Sequence, residues 1–334
     1  MTIEHTKTVE QATFYSPLAD FEEDTLDVEV RTDPLTGRQT RVAEQVFPAP
    51  EEAPDIEEFV SDDEGCFFCP EMVHDATPEY PDFVGQDRIE SGEAVSFPNL
   101  FPYGKHSNVV VLTEDHFRPI DALSESHFED GLACAFEYLG AVLDHDDPDF
   151  ASVNMNLLPS SGSSVVHPHL QAVADDHGTN AQRRRLEAER EFHDEHGRSY
   201  WEELLEAEKG GPRYVGSTGE VEWLAPFAPM HHWHVRGVTD HTEFPSSDDA
   251  ILSDLADGIT NVLEYYASLD LNAHNFAISL TNDEPASPVI IDIVARTPFD
   301  EHYVSDAFFF RTLHDEPAID VPPEEYATEM TGHF

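Results

Sequence analysis

The sequence has very few basic residues. Of its 334 residues, 17 are Lys or Arg and 69 are Asp or Glu, which gives a formal net charge of −52. Lysine occurs only at Lys7, Lys105 and Lys209. A surface this acidic repels phosphate backbones, so it excludes nucleic-acid binding by charge neutralisation as the expected function. Because the acids are spread along the whole chain, the composition favours a halophilic protein from a high-salt cytoplasm over a protein with an acidic interaction tail.

Long apolar runs and cysteines are also scarce. No stretch approaches the ~18 apolar residues of a membrane span, and the first residues lack the basic and apolar regions of a signal peptide. These absences predict a cytoplasmic protein with no membrane partner. Cys66, Cys69 and Cys134 are the only cysteines, which excludes a disulfide framework. We expect Cys134 to be a buried helix residue.

The order of patterns predicts an α+β protein with three parts. Residues 1–30 are polar and acidic without sustained periodicity, and we expect an acidic extension, either a tail or an added sheet edge. Residues 31–210 contain strand patterns and a helix from about Ser124 to Leu143, with Phe128, Leu132, Phe136 and Leu139 at helical spacing. A charged helix is predicted from Asn180 to about Glu208.

Residues 211–334 repeat the first unit at an offset of roughly 125 residues. The segment from Phe227 to His241 parallels the one from Phe101 to His116, and each is followed by a helix and then a strand. Where the first copy has a His-x-His-x-Gln motif, the second has Val289 to Ile293. The sequence therefore predicts two α+β units, of which only the first carries that chemistry.

The motif Cys66-x-x-Cys69 indicates a metal site. Two thiolates on one turn supply half of a tetrahedral zinc site, although a buried apolar turn would explain the same residues because Phe67 and Phe68 lie between them. We choose His116 and His167 as the missing ligands. For His116, a structural role where the chain approaches the helix is the alternative.

A turn-rich loop leads into the histidine motif. It contains Gly162, Ser163 and Ser164 and precedes His167-Pro168-His169-Leu170-Gln171. Histidines two apart on an extended strand face the same side, and the proline stiffens the segment. A His-x-His pair alone fits metal ligation, catalysis or core packing. With Gln171 on the same face and a serine-rich loop before it, we interpret His169 as a nucleophile toward phosphorus, with Gln171, the two serines and the Gly162 turn as hydrogen-bond donors.

Other histidines and basic residues are less informative. The cluster His231, His232 and His234 is either a second metal site or a strand whose histidines line a pocket, and His274 is equally open. The run Arg183 to Arg185 could neutralise phosphate, but a surface role is typical of such a run on a charged helix.

These motifs together resemble the galactose-1-phosphate uridylyltransferase family, the transferase branch of the histidine-triad superfamily. The resemblance runs from Asp33-Pro34-Leu35-Thr36-Gly37 through the cysteine motif to Gln171. It implies two tandem histidine-triad-like units, each an antiparallel sheet with a long helix, the second lacking the histidine motif. It further implies zinc at the four ligands named above, a homodimer, and a uridylylated His169 whose intermediate Gln171 stabilises. The residues implied to hold the nucleotide are Asn99, Phe101, Asn156 and Ser164.

The sequence departs from the family pattern at three places. Ser163-Ser164 stands where Cys-Ser is frequent, and Val46 to Ala49 stand where basic nucleotide-contacting residues are usual. The histidines and the acid of a second metal site are replaced around Val289 to Ile293 and Arg185, so we expect one metal site.

The expected activity is ping-pong transfer of a uridylyl group between UDP-glucose and galactose 1-phosphate, so the expected partners are a nucleotide-sugar and a sugar phosphate. One alternative keeps the nucleophile but acts as a phosphorylase or hydrolase of ADP-sugars or dinucleoside polyphosphates. The other alternative is a non-catalytic, zinc-stabilised nucleotide-binding protein.

Overall fold

The computed structural model describes residues 3–43, 53–282, 287–300 and 302–334. Val46 to Ala49, where the family pattern has basic residues, lie outside the described residues. The strands are β1 (Thr6–Ser16), β2 (Glu22–Thr32), β3 (Gln39–Ala43), β4 (Ile89–Ser91), β5 (Ala94–Pro98), β6 (His106–Val111), β7 (Phe150–Leu157), β8 (His169–Asp175), β9 (Tyr214–Thr218), β10 (Val221–Leu224), β11 (Val235–Val238), β12 (His274–Thr281), β13 (Ile290–Ala295) and β14 (Ala318–Ile319). The helices are α1 (Glu57–Val60), α2 (Val73–Ala76), α3 (Glu125–Asp146), α4 (Asn180–His196), α5 (Tyr200–Glu208), α6 (Ile251–Ser268), α7 (Phe309–His314) and α8 (Pro323–Met330). Within the described ranges, none of the helices combines the length and the apolarity that crossing a membrane requires.

One antiparallel sheet of ten strands organises the molecule. Its order is β4-β5-β6-β8-β7-β12-β13-β11-β10-β9. From one edge to the centre the order is β4-β5-β6-β8-β7, and from the other edge it is β9-β10-β11-β13-β12. The strands of each half occur in the same sequence order, so the sheet has approximate two-fold symmetry about the β7–β12 pair. That central pair runs from Phe150 opposite Thr281 to Leu157 opposite His274. The α+β class and the antiparallel sheet are therefore confirmed, and the two halves share one continuous sheet.

Helices α3 and α6 cover one face of this sheet. Phe128, Leu132, Phe136 and Leu139 are all buried there, as their helical spacing predicts. Glycine allows each helix to approach closely. A Cβ atom on Gly131 would lie 2.2 Å from Leu112, and one on Gly258 would lie 2.0 Å from Trp223. At both positions any larger residue would push the helix off the sheet.

The opposite face of the sheet, which we call the site face, carries smaller apolar clusters. On the second half, α5 packs Tyr200, Trp201 and Leu204 against Leu224 and Ile290. On the first half, the cluster contains Phe97, Val109 and Val111, with Phe68 packed against it. Polar side chains of β7, β8 and β12 lie between these two clusters because alternate residues of a strand face opposite sides.

The predicted charged helix from Asn180 to Glu208 was wrong as a single element. The structure divides it into α4 and α5. Gly197 ends α4 with φ of +70°, and its amide donates to the carbonyl of His193 at 2.7 Å. Gly197 is a left-handed C-terminal cap, a signal that the helical charge pattern concealed.

The acidic N-terminal segment forms a long hairpin. Strands β1 and β2 pair from Thr6 opposite Thr32 to Ser16 opposite Glu22, and the order β1-β2-β3-β14 continues into a second, small sheet. The hairpin is mostly exposed, but Arg31 at its base is buried and donates to Glu324 of α8 at 2.9 Å. Both faces of β1 and β2 carry polar residues, so the sequence lacks the alternation of apolar and polar residues that predicts a strand. The boundaries at residues 30 and 210 stay predictions.

Candidate active site and metal centre

Four predicted ligands converge at one edge of the site face. Cys66 and Cys69 lie on the loop between α1 and α2, His116 follows β6, and His167 directly precedes β8. Their sulfur and nitrogen ligand atoms all lie within 4.8 Å of one another. The Cys69 Sγ atom is 3.4 Å from His116 Nδ1 and 3.8 Å from His167 Nδ1. Three separate segments of chain therefore meet at this Cys2His2 cluster.

The cluster fits a tetrahedral metal ion. Zinc bonds of about 2.0–2.3 Å separate neighbouring ligand atoms by roughly 3.3–3.8 Å, which matches these spacings. The Nε2 atom of His167 donates to the carbonyl of Thr113 at 2.6 Å, so its Nδ1 atom keeps the lone pair that points to the cysteines. Burial raises the pKa of Cys69 to about 12, with the neighbouring Cys66 as the next cause. A bound cation would displace that proton.

His169 is not a member of this cluster. Its Nδ1 atom donates to the carbonyl of His167 at 2.9 Å, which leaves the Nε2 atom as the unprotonated ring nitrogen. The ring is buried and makes an edge contact with Phe68, with 5.3 Å between ring centroids. Burial lowers the pKa of His169, which favours the neutral imidazole. A neutral imidazole with a free Nε2 lone pair is a nucleophile.

Gln171 follows on the same side of β8. Leu170 and Ala172 are buried in the helix-covered core, so alternation places His169 and Gln171 together on the site face. Across the sheet, Gln171 pairs with Asn154 of β7. The predicted pair of nucleophile and hydrogen-bond donor is thus presented on one strand.

Several hydrogen-bond donors of the predicted ligand-binding loop are used within the loop itself. The Ser163 hydroxyl donates to the carbonyl of Val165 at 2.6 Å, while Ser164 and Gly162 are exposed. Gly162 has φ of +95°, and its amide donates to Pro159 at 3.0 Å. The exposed Ser164 is therefore the residue of this loop whose hydroxyl can turn toward a ligand.

Asn99 and Phe101 lie on the loop after β5. The Asn99 side-chain oxygen accepts from the Phe101 amide at 2.9 Å. Phe101 is 77% exposed, and Leu100 and Tyr103 beside it are exposed as well. An exposed aromatic ring beside the site face is available to stack on a planar group.

Ion pairs lie on β13 of the second half and on α4 of the first half, where the sequence departs from the family's second metal site. Asp292 of β13 accepts from Arg236 at 2.6 Å and from His234 at 2.8 Å. Arg185 of α4 lies 3.3 Å from Glu189. Asp292, Arg185 and Arg236 line a cavity of about 240 Å³ on the site face. Its arginines have acidic neighbours, so the cavity is close to charge balance.

Sequence reasoning missed Asn275, Arg296 and Asp306. They lie more than 100 residues beyond the histidine motif, yet Asn275 and Arg296 contact the loop before it, and Asp306 accepts from Arg296. Asn275 donates to the Asn156 side-chain oxygen at 2.5 Å, and Arg296 donates to the carbonyl of Ser161 at 3.2 Å. The sequence signal for Asn275 was the polar run around His274.

Comparison with known proteins supports the resemblance at the level of fold. No family model matches the sequence. An uncharacterized protein of Archaeoglobus fulgidus is 37% identical over 305 residues, which is 91% of each chain. Among solved structures, an ADP-glucose phosphorylase of Arabidopsis thaliana with bound ADP-glucose superposes with a TM-score of 0.70 at 18% identity, over 91% of this chain and 98% of that one. A GalT-like protein of the same plant gives 0.69 at 19% identity, with the same coverage. A uridylyltransferase gives 0.66 at 17% identity, over 91% and 97%.

Proposed function

Because the chain belongs to the same family as the Archaeoglobus fulgidus protein and has the fold of the galactose-1-phosphate uridylyltransferase-like proteins, we propose that it is a nucleotidyltransferase. The transfer runs through a covalent intermediate on His169. The observation that carries this proposal is the hydrogen bond from His169 Nδ1 to the carbonyl of His167. It fixes the tautomer whose Nε2 atom can attack phosphorus.

The reaction has two displacements at one phosphorus atom. In the first, the Nε2 lone pair of His169 forms a P–N bond with the α-phosphorus of a nucleotide-sugar. The P–O bond to the sugar phosphate breaks, and the sugar 1-phosphate leaves with that electron pair. In the second, a phosphate oxygen of the acceptor forms a new P–O bond and the P–N bond returns its pair to His169. No proton has to move on the imidazole, because Nδ1 keeps its hydrogen throughout.

Substrate contacts follow from the side chains on the site face. Gln171 donates to a phosphate oxygen, which offsets the charge that develops during each displacement. Ser164 and Asn156 hold the other phosphate oxygens. Asn99 positions the loop on which Phe101 stacks with the nucleotide base.

We propose UDP-glucose and hexose 1-phosphate, galactose 1-phosphate in particular, as the substrate pair. A second candidate is phosphorolysis of an ADP-sugar, in which inorganic phosphate is the acceptor. It is favoured by the same fold in an ADP-glucose phosphorylase that binds ADP-glucose. Both candidates use the same first step and differ in base and acceptor.

Zinc is the proposed metal of the Cys2His2 cluster. Cys66, Cys69, His116 and His167 offer two sulfurs and two nitrogens, the donor set typical of closed structural zinc sites. Bound zinc would supply a cross-link between the cysteine loop, the end of β6 and the start of β8. His167 belongs to that cross-link and its carbonyl holds His169, so the metal would position the nucleophile without contacting substrate.

High salt is the proposed working environment. A net charge of −52 repels itself in dilute buffer and is screened in molar salt, where the Debye length falls to about 3 Å. The melting temperature is expected to rise steadily with KCl concentration, as differential scanning calorimetry can measure. A fall with added KCl would contradict the halophilic assignment. A homodimer and a cytoplasmic location are the remaining expectations.

The experiment is a mass measurement in molar KCl. The protein is incubated separately with UDP-glucose and with ADP-glucose, and the intact mass should rise by one uridylyl or one adenylyl group. The adduct is then offered galactose 1-phosphate, inorganic phosphate or water. Release by the sugar phosphate identifies the transferase and release by phosphate identifies the phosphorylase. Binding of either nucleotide-sugar without any adduct would instead support the non-catalytic alternative.

A further inference from the structure

A line of buried and half-buried polar side chains runs from the second half of the molecule to the loop before His169. Its members are His231, Asp306, Arg296, Asn275 and Asn156. The first four belong to the half that lacks the histidine motif, and the last is at the end of β7. The line therefore connects the degenerate half to the proposed nucleotide-binding residues.

Asp306 anchors one end of the line. It is 2% exposed and accepts from Arg296 Nε at 2.7 Å, from Arg296 Nη2 at 2.5 Å and from the Thr297 amide at 3.1 Å. His231 Nε2 lies 3.1 Å from the same carboxylate. Burial alone would raise the pKa of Asp306, but the hydrogen bonds from Arg296 and His231 outweigh it and hold that pKa well below its usual range.

His231 supports this carboxylate as a neutral donor. Burial lowers the pKa of His231 to about 3, although Asp306 opposes that shift. Its Nδ1 atom accepts from the His232 amide at 2.9 Å, so the hydrogen is on Nε2 and points to Asp306. This accounts for one histidine of a cluster whose sequence suggested a second metal site.

Arg296 fixes the orientation of the next amide. A guanidinium can only donate, and its Nη1 atom lies 2.5 Å from the Asn275 side chain. The atom that faces Arg296 must therefore be the Asn275 oxygen. The Asn275 nitrogen then faces Asn156 and donates to its side-chain oxygen at 2.5 Å.

The same logic fixes Asn156. Because its oxygen accepts from Asn275, its amide nitrogen is left to face the site with two hydrogens to donate. A phosphate oxygen can only accept from such a group. The orientation of the Asn156 amide is thus set by a carboxylate at Asp306, through two intervening side chains.

The line also holds the backbone of the loop. The carbonyl of Ser161 accepts from Asn275 at 3.0 Å and from Arg296 at 3.2 Å. The loop begins with Leu158 at φ of +69°, a left-handed conformation that costs a leucine energy. These two donors keep the strained turn closed on the side where Gly162 and Ser164 are exposed.

We infer that Arg296 and Asn275, held by Asp306 and His231, are positioning residues for the nucleotide phosphate. They set which atom of Asn156 faces the ligand and where the loop backbone lies. This inference rests on the proposed function for the identity of the ligand. The placement of Asn156 and the loop stands on hydrogen bonds alone.

The substitution Asn275→Asp tests the orientation with almost no change of shape. The carboxylate still accepts from Arg296 but can no longer donate, so the Asn156 amide turns over and presents its oxygen to the phosphate. Nucleotide-sugar affinity should fall about 10- to 100-fold, as for loss of a hydrogen bond to a charged group. Asn156→Asp also presents an oxygen and should lose affinity to a similar extent. Arg296→Lys keeps the charge beside Asp306 but cannot reach both Asn275 and Ser161, and it should give an intermediate loss.

Two readouts separate the outcomes. Affinity for UDP-glucose and ADP-glucose is measured by calorimetry in molar KCl in a His169→Asn background, so that turnover does not interfere. Hydrogen exchange of the Gly162 and Ser163 amides, which close the loop turn, is measured without any nucleotide. Exchange there should rise about tenfold in Asn275→Asp as the loop opens more easily. Asp292→Asn on β13, which removes a half-buried carboxylate from Arg236 of β11, is the matched control and should leave both readouts at the parent value.

The inference is overturned if Asn275→Asp leaves loop exchange or affinity equal to the Asp292→Asn control. If the parent protein binds neither nucleotide-sugar, the proposed function fails separately. Loop exchange alone then decides whether Asn275 and Arg296 position the loop.

Discussion

The two halves of the central sheet have the same strand order but different chemistry. Strand β8 begins at His169 and presents Gln171, whereas β13 begins at Ile290 and presents Asp292 in an ion pair with Arg236. The half without the histidine motif still carries Asn275 and Arg296, which reach the loop of the other half. We therefore propose that the half without the histidine motif supports the site, because the shared β7–β12 pair places its side chains next to that site.

The largest expected difference between the two halves is the effect of replacing a histidine on adduct formation. His169→Asn removes the attacking nitrogen and should lower the rate of adduct formation by about four orders of magnitude or more. His232→Asn, in the histidine cluster of the second half, should change that rate only a few-fold. Intact-mass spectra after nucleotide-sugar addition measure both. An equal loss in the two variants would mean that the halves are not functionally distinct.

The metal centre can be tested with a pair of histidines at matching places in the two halves. His116 lies 3.4 Å from Cys69, whereas its counterpart His241 contacts Glu220 at the surface at 3.0 Å. His116→Ala should lose bound zinc and lower the melting temperature by about 5–15 °C, because zinc stabilises only the folded state. His241→Ala should keep one zinc per chain. Elemental analysis and calorimetry report both quantities, and full zinc in His116→Ala would refute the assignment.

A buried histidine of the second half should make the protein sensitive to acid. His274 is fully buried, neither of its ring nitrogens has a partner among the described residues, and burial lowers its pKa to about 3. The unfolded chain therefore binds a proton below about pH 6.5 that the folded chain binds only near pH 3, so stability falls as pH falls through that window. At pH 5 this one group costs about 2 kcal/mol.

His274→Leu removes that cost. Between pH 6.5 and 4, its free energy of unfolding should depend less steeply on pH, because unfolding of the variant takes up as much as one proton fewer. At pH 7.5 the free energy of unfolding should be unchanged or higher. Urea unfolding at several pH values, all at the same molar salt, measures the slope. An unaltered slope would mean that His274 is already protonated in the folded protein.

Short sequence patterns predicted those parts of the structure that depend on residues close together in the chain. The spacing of Phe128, Leu132 and Phe136 predicted the buried face of α3, and the Cys66-x-x-Cys69 motif indicated ligands that the fold brings together with His116 and His167. The pairing of β7 with β12 was not predictable, because register between strands more than 100 residues apart depends on the whole core. The polar line from Asp306 to Asn156 depends on that register, so the sequence could not reveal it.

The most direct measurement is to locate the covalent adduct. The protein is treated with UDP-glucose or ADP-glucose in molar KCl and digested, and the peptides are examined by mass spectrometry under conditions that preserve P–N bonds. We predict one nucleotidyl group per chain, on the peptide that contains His169 and on that residue. An adduct on the peptide that contains His231, His232 and His234, or no adduct with either nucleotide-sugar, would contradict the assignment of the nucleophile to the first half.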